Sequence, residues 1–255
     1  GSTPRRDGRP PPRFPPPGTP PVAWASSSAT QRNIHVARFN GATWERVGPD
    51  MPLNYTPGAL ASNPSLAFGT SGAPMVAWVE NSAVKFKLFS GTAWVRAEGP
   101  GGAEGPASSA AGRVKLSTFP ANGTPVLAWS EGSSSSRRIR ASSGLDFELL
   151  ASAVTPQLPL DSSLTEFDVV AIASSQITVT WAQVGTLHSI LAREWTGSTW
   201  SDLTSAVSNA SQPFLSFSMS RDREELVYSA DVPLTNQSSA QFFHRAFSSF
   251  IPSGL

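Results

Sequence analysis

Polar side chains stand at one recurring place in this sequence. Two residues after each of a series of aromatic landmarks come Ser26, Glu80, Glu131 and Gln183; at the fifth landmark Ala230 takes the place and Asp231 follows. Carboxylates, an amide and a hydroxyl at equal spacing could form a ring of acceptors for glycan hydroxyls or a cation. The plainer reading is that they cap strand ends or accept from nearby backbone N–H groups. Trp195, just before a turn, is a candidate stacking platform for a ligand, although Phe39 and Phe89 at matching positions also make that place a packing slot. The candidate binding residues are therefore Glu80, Glu131, Gln183, Asp231 and Trp195.

Other chemistries lack their residues. Cys is 0, which removes disulfides, thiolate nucleophiles and cysteine-held metals. The 3 histidines, His35, His188 and His244, lie far apart. They show no metal-ligand spacing, so neither a metal nor a cofactor is expected. His35 reads as a strand residue rather than a ligand. No nucleophile elbow or phosphate-binding loop is present, and no catalytic residue is assigned. The 19 basic and 18 acidic residues leave a net charge of +1, which offers no broad electrostatic attraction to nucleic acid or anionic lipid. No apolar run reaches the length of a membrane-spanning helix.

The elements that must position these residues follow from internal repetition. An apolar pair ending in an aromatic reads Val22-Ala23-Trp24, Val76-Ala77-Trp78, Leu127-Ala128-Trp129, Val179-Thr180-Trp181 and Leu226-Val227-Tyr228, at intervals of 54, 51, 52 and 47 residues. A second landmark, Gly with an aromatic three residues later, recurs at Gly41/Trp44, Gly91/Trp94, Gly144/Phe147 and Gly197/Trp200. Phe14, Phe68 and Phe119 each stand ten residues before a landmark Trp. Independent landmarks sharing one period establish a repeat.

Each unit reads as four short strands. In the second unit these are Ser65 to Phe68, Met75 to Val79, Ala83 to Phe89 and Ala93 to Ala97. The apolar run of the second strand suits burial on both faces. Val84, Phe86 and Leu88 alternate with Lys85 and Lys87, which suits a strand with one wetter face. Gly91 supplies the positive φ of the hairpin before the fourth strand. Segments 49–63, 100–113, 151–164 and 204–212 read as loops. With 20 Gly, 23 Pro and 8 Trp in 255 residues, the composition is that of a turn-rich β protein.

Four-stranded units of about 50 residues predict an all-β, five-bladed β-propeller of antiparallel blades. The blades are expected near 13–48, 64–99, 113–150, 165–203 and 213–252. The first strand of the first blade would come from Arg13-Phe14, and Phe250-Ile251 would finish the last. Residues 1–21 carry nine prolines and read as a disordered tail or linker, with the propeller over 22–255. Trp24, Trp78, Trp129 and Trp181 are expected in the core. Trp44, Trp94 and Trp200 are expected to staple hairpins.

Pro74-Met75-Val76-Ala77-Trp78-Val79-Glu80 and Asn40-Gly41-Ala42-Thr43-Trp44 resemble the Trp-rich repeats of secreted bacterial β-propeller proteins, clearly over 22–203 and weakly over 204–251. The Gly-x-x-Trp turns are similar in form to the Asp boxes of sialidases, but the Asp ahead of the Gly is missing. The resemblance implies a non-catalytic extracellular binding module of a bacterium, recognising carbohydrate or a protein surface through its loop face or inter-blade grooves. The alternatives are a propeller glycoside hydrolase with carboxylates at the channel mouth, and a structural domain of a larger protein.

Overall fold

A computed structural model of the chain describes residues 21–246, apart from 29–30, 50–51, 98–104, 107–109, 133–136, 151–153, 156–162, 174, 185–187, 202–203, 211–213, 220–224 and 235–236; beyond Ser201 it describes backbone only. Among the described residues there is no helix, and therefore none long and apolar enough to cross a membrane.

The described residues form five antiparallel sheets, each built from consecutive strands. The first holds β1 (Pro21–Ser27), β2 (Arg32–Phe39) and β3 (Trp44–Arg46). The second holds β4 (Ala61–Phe68), β5 (Pro74–Glu80), β6 (Ala83–Phe89) and β7 (Trp94–Arg96). The third holds β8 (Arg113–Thr118), β9 (Pro125–Glu131), β10 (Arg138–Ser143) and β11 (Glu148–Leu149). The fourth holds β12 (Ser163–Ala173), β13 (Gln176–Val184), β14 (His188–Trp195) and β15 (Thr204–Ala210). The fifth holds β16 (Phe214–Met219), β17 (Glu225–Leu234) and β18 (Gln237–Ala246).

Strand β1 carries the Trp24 landmark and so matches the second strand of the later sheets. Arg13-Phe14, the Pro-rich tail up to Pro20 and Phe250-Ile251 lie outside the described residues. The segment 204–212, expected as a loop, is instead largely strand β15. Its Ser, Thr and Val residues accept extended backbone, and it pairs with β14 through two register shifts.

The sheets stack face to face through the landmark aromatics. Trp78 lies in one core cluster with Ile34, Val36 and Leu53, which joins the first sheet to the second. Trp129 shares a cluster with Val84 and Phe86, which joins the second to the third. Trp181 shares a cluster with Ile139 and Ala141, which joins the third to the fourth. These three indoles are 0, 0 and 1% exposed. Burying each contributes about 4–6 kcal/mol of transfer free energy. Every residue of β5 and of β9 is buried, as their continuous apolar runs require.

Successive first strands lie side by side, β4 against β8, β8 against β12 and β12 against β16. Small hydroxyl residues allow that approach and bond across it. Ser65 Oγ accepts from Leu116 N at 2.9 Å, Thr118 Oγ1 donates to the Phe68 carbonyl at 2.8 Å, and Ser117 Oγ accepts from Ala171 N at 3.1 Å.

The chain after β3 and after β11 is strapped to the third strand of its own sheet. Val47 N donates to Val36 O and Leu53 N to Ile34 O; Leu150 N donates to Ala141 O and Val154 N to Ile139 O. The remaining third-strand donors are taken by side chains, Ile34 N by Asn54 Oδ1 and Ile139 N by Thr155 Oγ1, both at 2.9 Å.

One expectation about the first unit is corrected. Trp24 is not in the core; it is 41% exposed and stacks on His35 at 5.4 Å. Trp44 packs on Phe39 at 5.6 Å as a hairpin staple yet is 56% exposed. Both lie on the sheet face that, in the later sheets, the preceding sheet covers.

Candidate functional site

Adjacent sheets leave a groove where their turns diverge. Between the second and third sheets this groove encloses about 610 Å³. Three turns build it: Gly69 to Ala73 between β4 and β5, Asn122 to Thr124 between β8 and β9, and Gly144 to Asp146 between β10 and β11. Met75 and Leu88 contribute apolar wall, and Leu145 is an exposed apolar side chain at its edge.

Local sequence fixes these turns. Gly69 N donates to Ala73 O, and Gly72 N donates to Gly69 O, both at 2.9 Å. Asn122 Oδ1 accepts from Thr124 N at 3.0 Å, the Asx turn that Asn favours. Gly123 sits at φ +70°, and a Cβ there would meet Thr70 N at 2.6 Å. The two turns therefore touch through backbone, which no other residue type permits. Ser71, Thr70 and Asn122 are exposed polar residues, and Asp146 is the charged residue among those lining the groove. Donors, acceptors and a single carboxylate over apolar wall suit a ligand that is itself both polar and apolar.

The strand-end residues lie at the opposite ends of the strands from this groove. Glu80 is 1% exposed. Its Oε2 accepts from Trp78 Nε1 at 2.9 Å and Tyr55 N at 3.0 Å, and its Oε1 accepts from Thr56 N at 2.8 Å. Glu131, 4% exposed, repeats the indole bond with Trp129 Nε1 at 3.1 Å. It also receives Arg138 and Arg140, both on Oε1. Burial pushes the Glu131 carboxyl up, but the bonds from Arg140, Trp129 and Arg138 outweigh it and hold the group below the ordinary glutamate range. Both carboxylates thus fasten landmark indoles inside the fold.

Gln183, half-buried near the end of β13, takes the matching position in the fourth sheet. There Trp181 Nε1 is buried without a hydrogen-bond partner among the described residues. Trp195 is half-buried and packs on Trp200 at 5.4 Å, as Phe39 does on Trp44 and Phe89 on Trp94. Asp231 lies in β17, where only the backbone is described. None of these five residues lines the groove.

His35 is half-buried, with Nε2 2.9 Å from Ser26 Oγ. Burial and then Arg46 lower its pKa. Tyr55 is spent on structure: its hydroxyl donates to Phe86 O at 2.6 Å and its ring packs on Trp78. Among the described residues no group of three His, Cys, Asp or Glu could hold a metal.

The groove residues carry no joint signal in the sequence because they come from three turns in two units. Thr70 to Ala73 is legible as a turn, but nothing along the chain pairs it with Asn122 or Asp146.

No protein-family model and no curated protein matches this sequence. Solved structures do resemble it. A protein of unknown function from Dyadobacter fermentans shares 10% identity over 86% of this chain and 69% of its own, with a TM-score of 0.54. The GH93 α-L-arabinofuranosidase of Fusarium graminearum, in complex with arabinobiose, shares 14% over 91% of this chain and 73% of its own, with a TM-score of 0.52. The polysaccharide lyase Uly1 shares 10% over 90% of this chain, with a TM-score of 0.54, and this chain spans 56% of its length. At such identities the likeness is one of fold. With consecutive antiparallel sheets joined face to face, it marks an all-β chain of β-propeller type.

Proposed function

We propose that this chain is a non-catalytic carbohydrate-binding module, and that an oligosaccharide occupies the groove between the second and third sheets. The observation that carries this reading is the groove itself. A sugar ring offers hydroxyls to Thr70, Ser71, Asn122 and Asp146, and its C–H faces to Met75, Leu88 and Leu145. Structural neighbours named as an arabinofuranosidase and a polysaccharide lyase support a glycan as the ligand class. In this reading the five sheets are blades of one ring, and the module works outside a bacterial cell. Glu80 and Glu131 hold the fold. Gln183 and Asp231 belong to the far side, Trp195 stands beside a turn of the fourth sheet, and none of the three takes part in this groove.

The test is a titration with neutral and acidic oligosaccharides, arabinobiose among them, followed by amide chemical shifts. Saturable shifts at Thr70, Ser71, Asn122 and Asp146, weakened about tenfold or more by Asp146→Ala with unchanged melting temperature, support the proposal. A tenfold loss corresponds to about 1.4 kcal/mol. Shifts absent from these turns overturn it. Release of cleaved sugar during the titration would favour the hydrolase reading instead.

A further inference from the structure

We infer that Asp146 makes the groove selective for uncharged sugars, so that its ligand is a neutral oligosaccharide rather than a uronate or a sulfated glycan. The inference rests on the sugar groove proposed above and names the class of sugar that the groove takes.

The charge of the lining is one-sided. Among the described residues that line the groove, Asp146 alone is charged, and none is Lys, Arg or His. Carboxylates and sulfates are held by Arg and Lys through charge-assisted hydrogen bonds. An acidic sugar would bring its anion to a wall that has no cation to receive it. Thr70, Ser71, Asn122 and Thr124 supply the rest of the polar lining. Such groups suit the hydroxyls of a neutral ring, which both donate and accept. Glu148, exposed in β11 just beyond the same turn, adds a second negative charge nearby.

Asp146 is set in place from both sides. Gly144 N donates to Pro125 O at 3.0 Å, and a Cβ on Gly144 would collide with Asp146 Oδ1. The carboxylate therefore lies back over this glycine. On the other side Phe147, at φ +57°, is 6% exposed and meets Phe86 of the second sheet edge-on. A bulky residue holds that left-handed backbone where its packing fixes it. The acid thus belongs to the frame of the groove.

A second carboxylate about 4 Å from Asp146 would meet a repulsion worth about fivefold in affinity in water, and more beside apolar wall. Salt screens that repulsion, over a Debye length of about 30 Å at 0.01 M and about 3 Å at 1 M. Neutral sugars escape it at any salt.

Linkage-matched galactobiose and digalacturonate differ in a hydroxymethyl group against a carboxylate and so isolate the charge. Both are titrated into the full chain at about 0.01 M and about 1 M salt, with the amide shifts of Thr70, Ser71 and Asn122 as the readout. Digalacturonate is expected to bind at least fivefold more weakly at low salt, roughly the size of the Coulomb effect. The gap should narrow at high salt and in Asp146→Asn, and should change less in Glu148→Gln, which removes a charge outside the lining.

Digalacturonate binding as tightly as galactobiose overturns the selectivity and leaves the sugar groove standing. A gap that ignores salt, or that is as wide in Asp146→Asn, overturns it too. The salt series uses the unmodified chain and decides even if a variant fails to fold. No shift with either sugar also overturns the inference, and the arabinobiose titration then decides whether the groove reading falls with it.

Discussion

The indole N–H of Trp94 donates to the carbonyl oxygen of Val47 at 2.6 Å, across the interface between the first two sheets. Trp200 repeats this bond with Leu150 at 2.9 Å, between the third and fourth. Each acceptor stands three residues after the matching fourth-strand aromatic of its own unit, Trp44 or Phe147. The Phe147 ring has no N–H to donate and instead meets Phe86 edge-on, with centroids 5.9 Å apart. Replacing Trp94 or Trp200 by Phe keeps an aromatic ring and orphans the carbonyl. Each variant is expected to lose about 1–3 kcal/mol. Urea unfolding should show a lower midpoint with an unchanged slope.

Glu80 gathers three N–H donors, the buried Trp78 indole and the backbone amides of Tyr55 and Thr56. Glu80→Ala leaves the buried indole N–H unmet, at about 1–3 kcal/mol. Glu80→Gln sets an amide NH₂ against at least one donor and is also expected to destabilise. Calorimetry should find both melting temperatures lowered, and titration of the folded fraction should find sugar affinity unchanged. A binding defect with no change in melting temperature would return Glu80 to the ligand site.

Glu131 makes stability depend on acid. Its folded pKa lies below the ordinary value because Arg140, Trp129 and Arg138 together overcome the burial penalty. The unfolded chain therefore takes up this proton first as pH falls. The contribution is fully present above the ordinary glutamate range and is lost as pH drops through the lowered folded value. Unfolding measured from pH 7 to pH 3 should show a steeper acid loss in the natural chain than in Glu131→Gln. Equal slopes would contradict the assignment.

Gly123 fixes the width of the groove. Alanine there meets the Thr70 amide nitrogen and must hold φ near +70°. Strain of about 1–2 kcal/mol is expected from the left-handed backbone alone. The turn has to move away from Thr70, so Gly123→Ala should weaken sugar binding more than Gly72→Ala, whose Cβ has open space. Titration of both variants, corrected for the folded fraction, makes the comparison.

The repeat is legible in the sequence because Trp78, Trp129 and Trp181 are buried by the same contact each time, so the same residue types recur. The hairpin glycines are legible for a similar reason: Gly41, Gly91, Gly144 and Gly197 all adopt positive φ. Trp24 misleads because burial belongs to a neighbour as much as to a residue, and its own type is the same whether the face is covered or open. Glu80 and Glu131 are visible as a recurring position, yet spacing does not say whether a carboxylate turns outward or back to an indole two residues away. Strand β15 is hidden because Thr204 to Ala210 has no strong apolar alternation. The groove is hidden because Thr70, Asn122 and Asp146 meet only after two sheets have docked.

Sheet-on-sheet stacking through the landmark indoles can be read from nuclear Overhauser effects between tryptophan ring protons and labelled isoleucine and valine methyls. Cross-peaks are expected from Trp78 to Ile34 and Val36, from Trp129 to Val84, and from Trp181 to Ile139. Cross-peaks confined to partners within each indole's own sheet would contradict the stacking and, with it, the propeller-type fold.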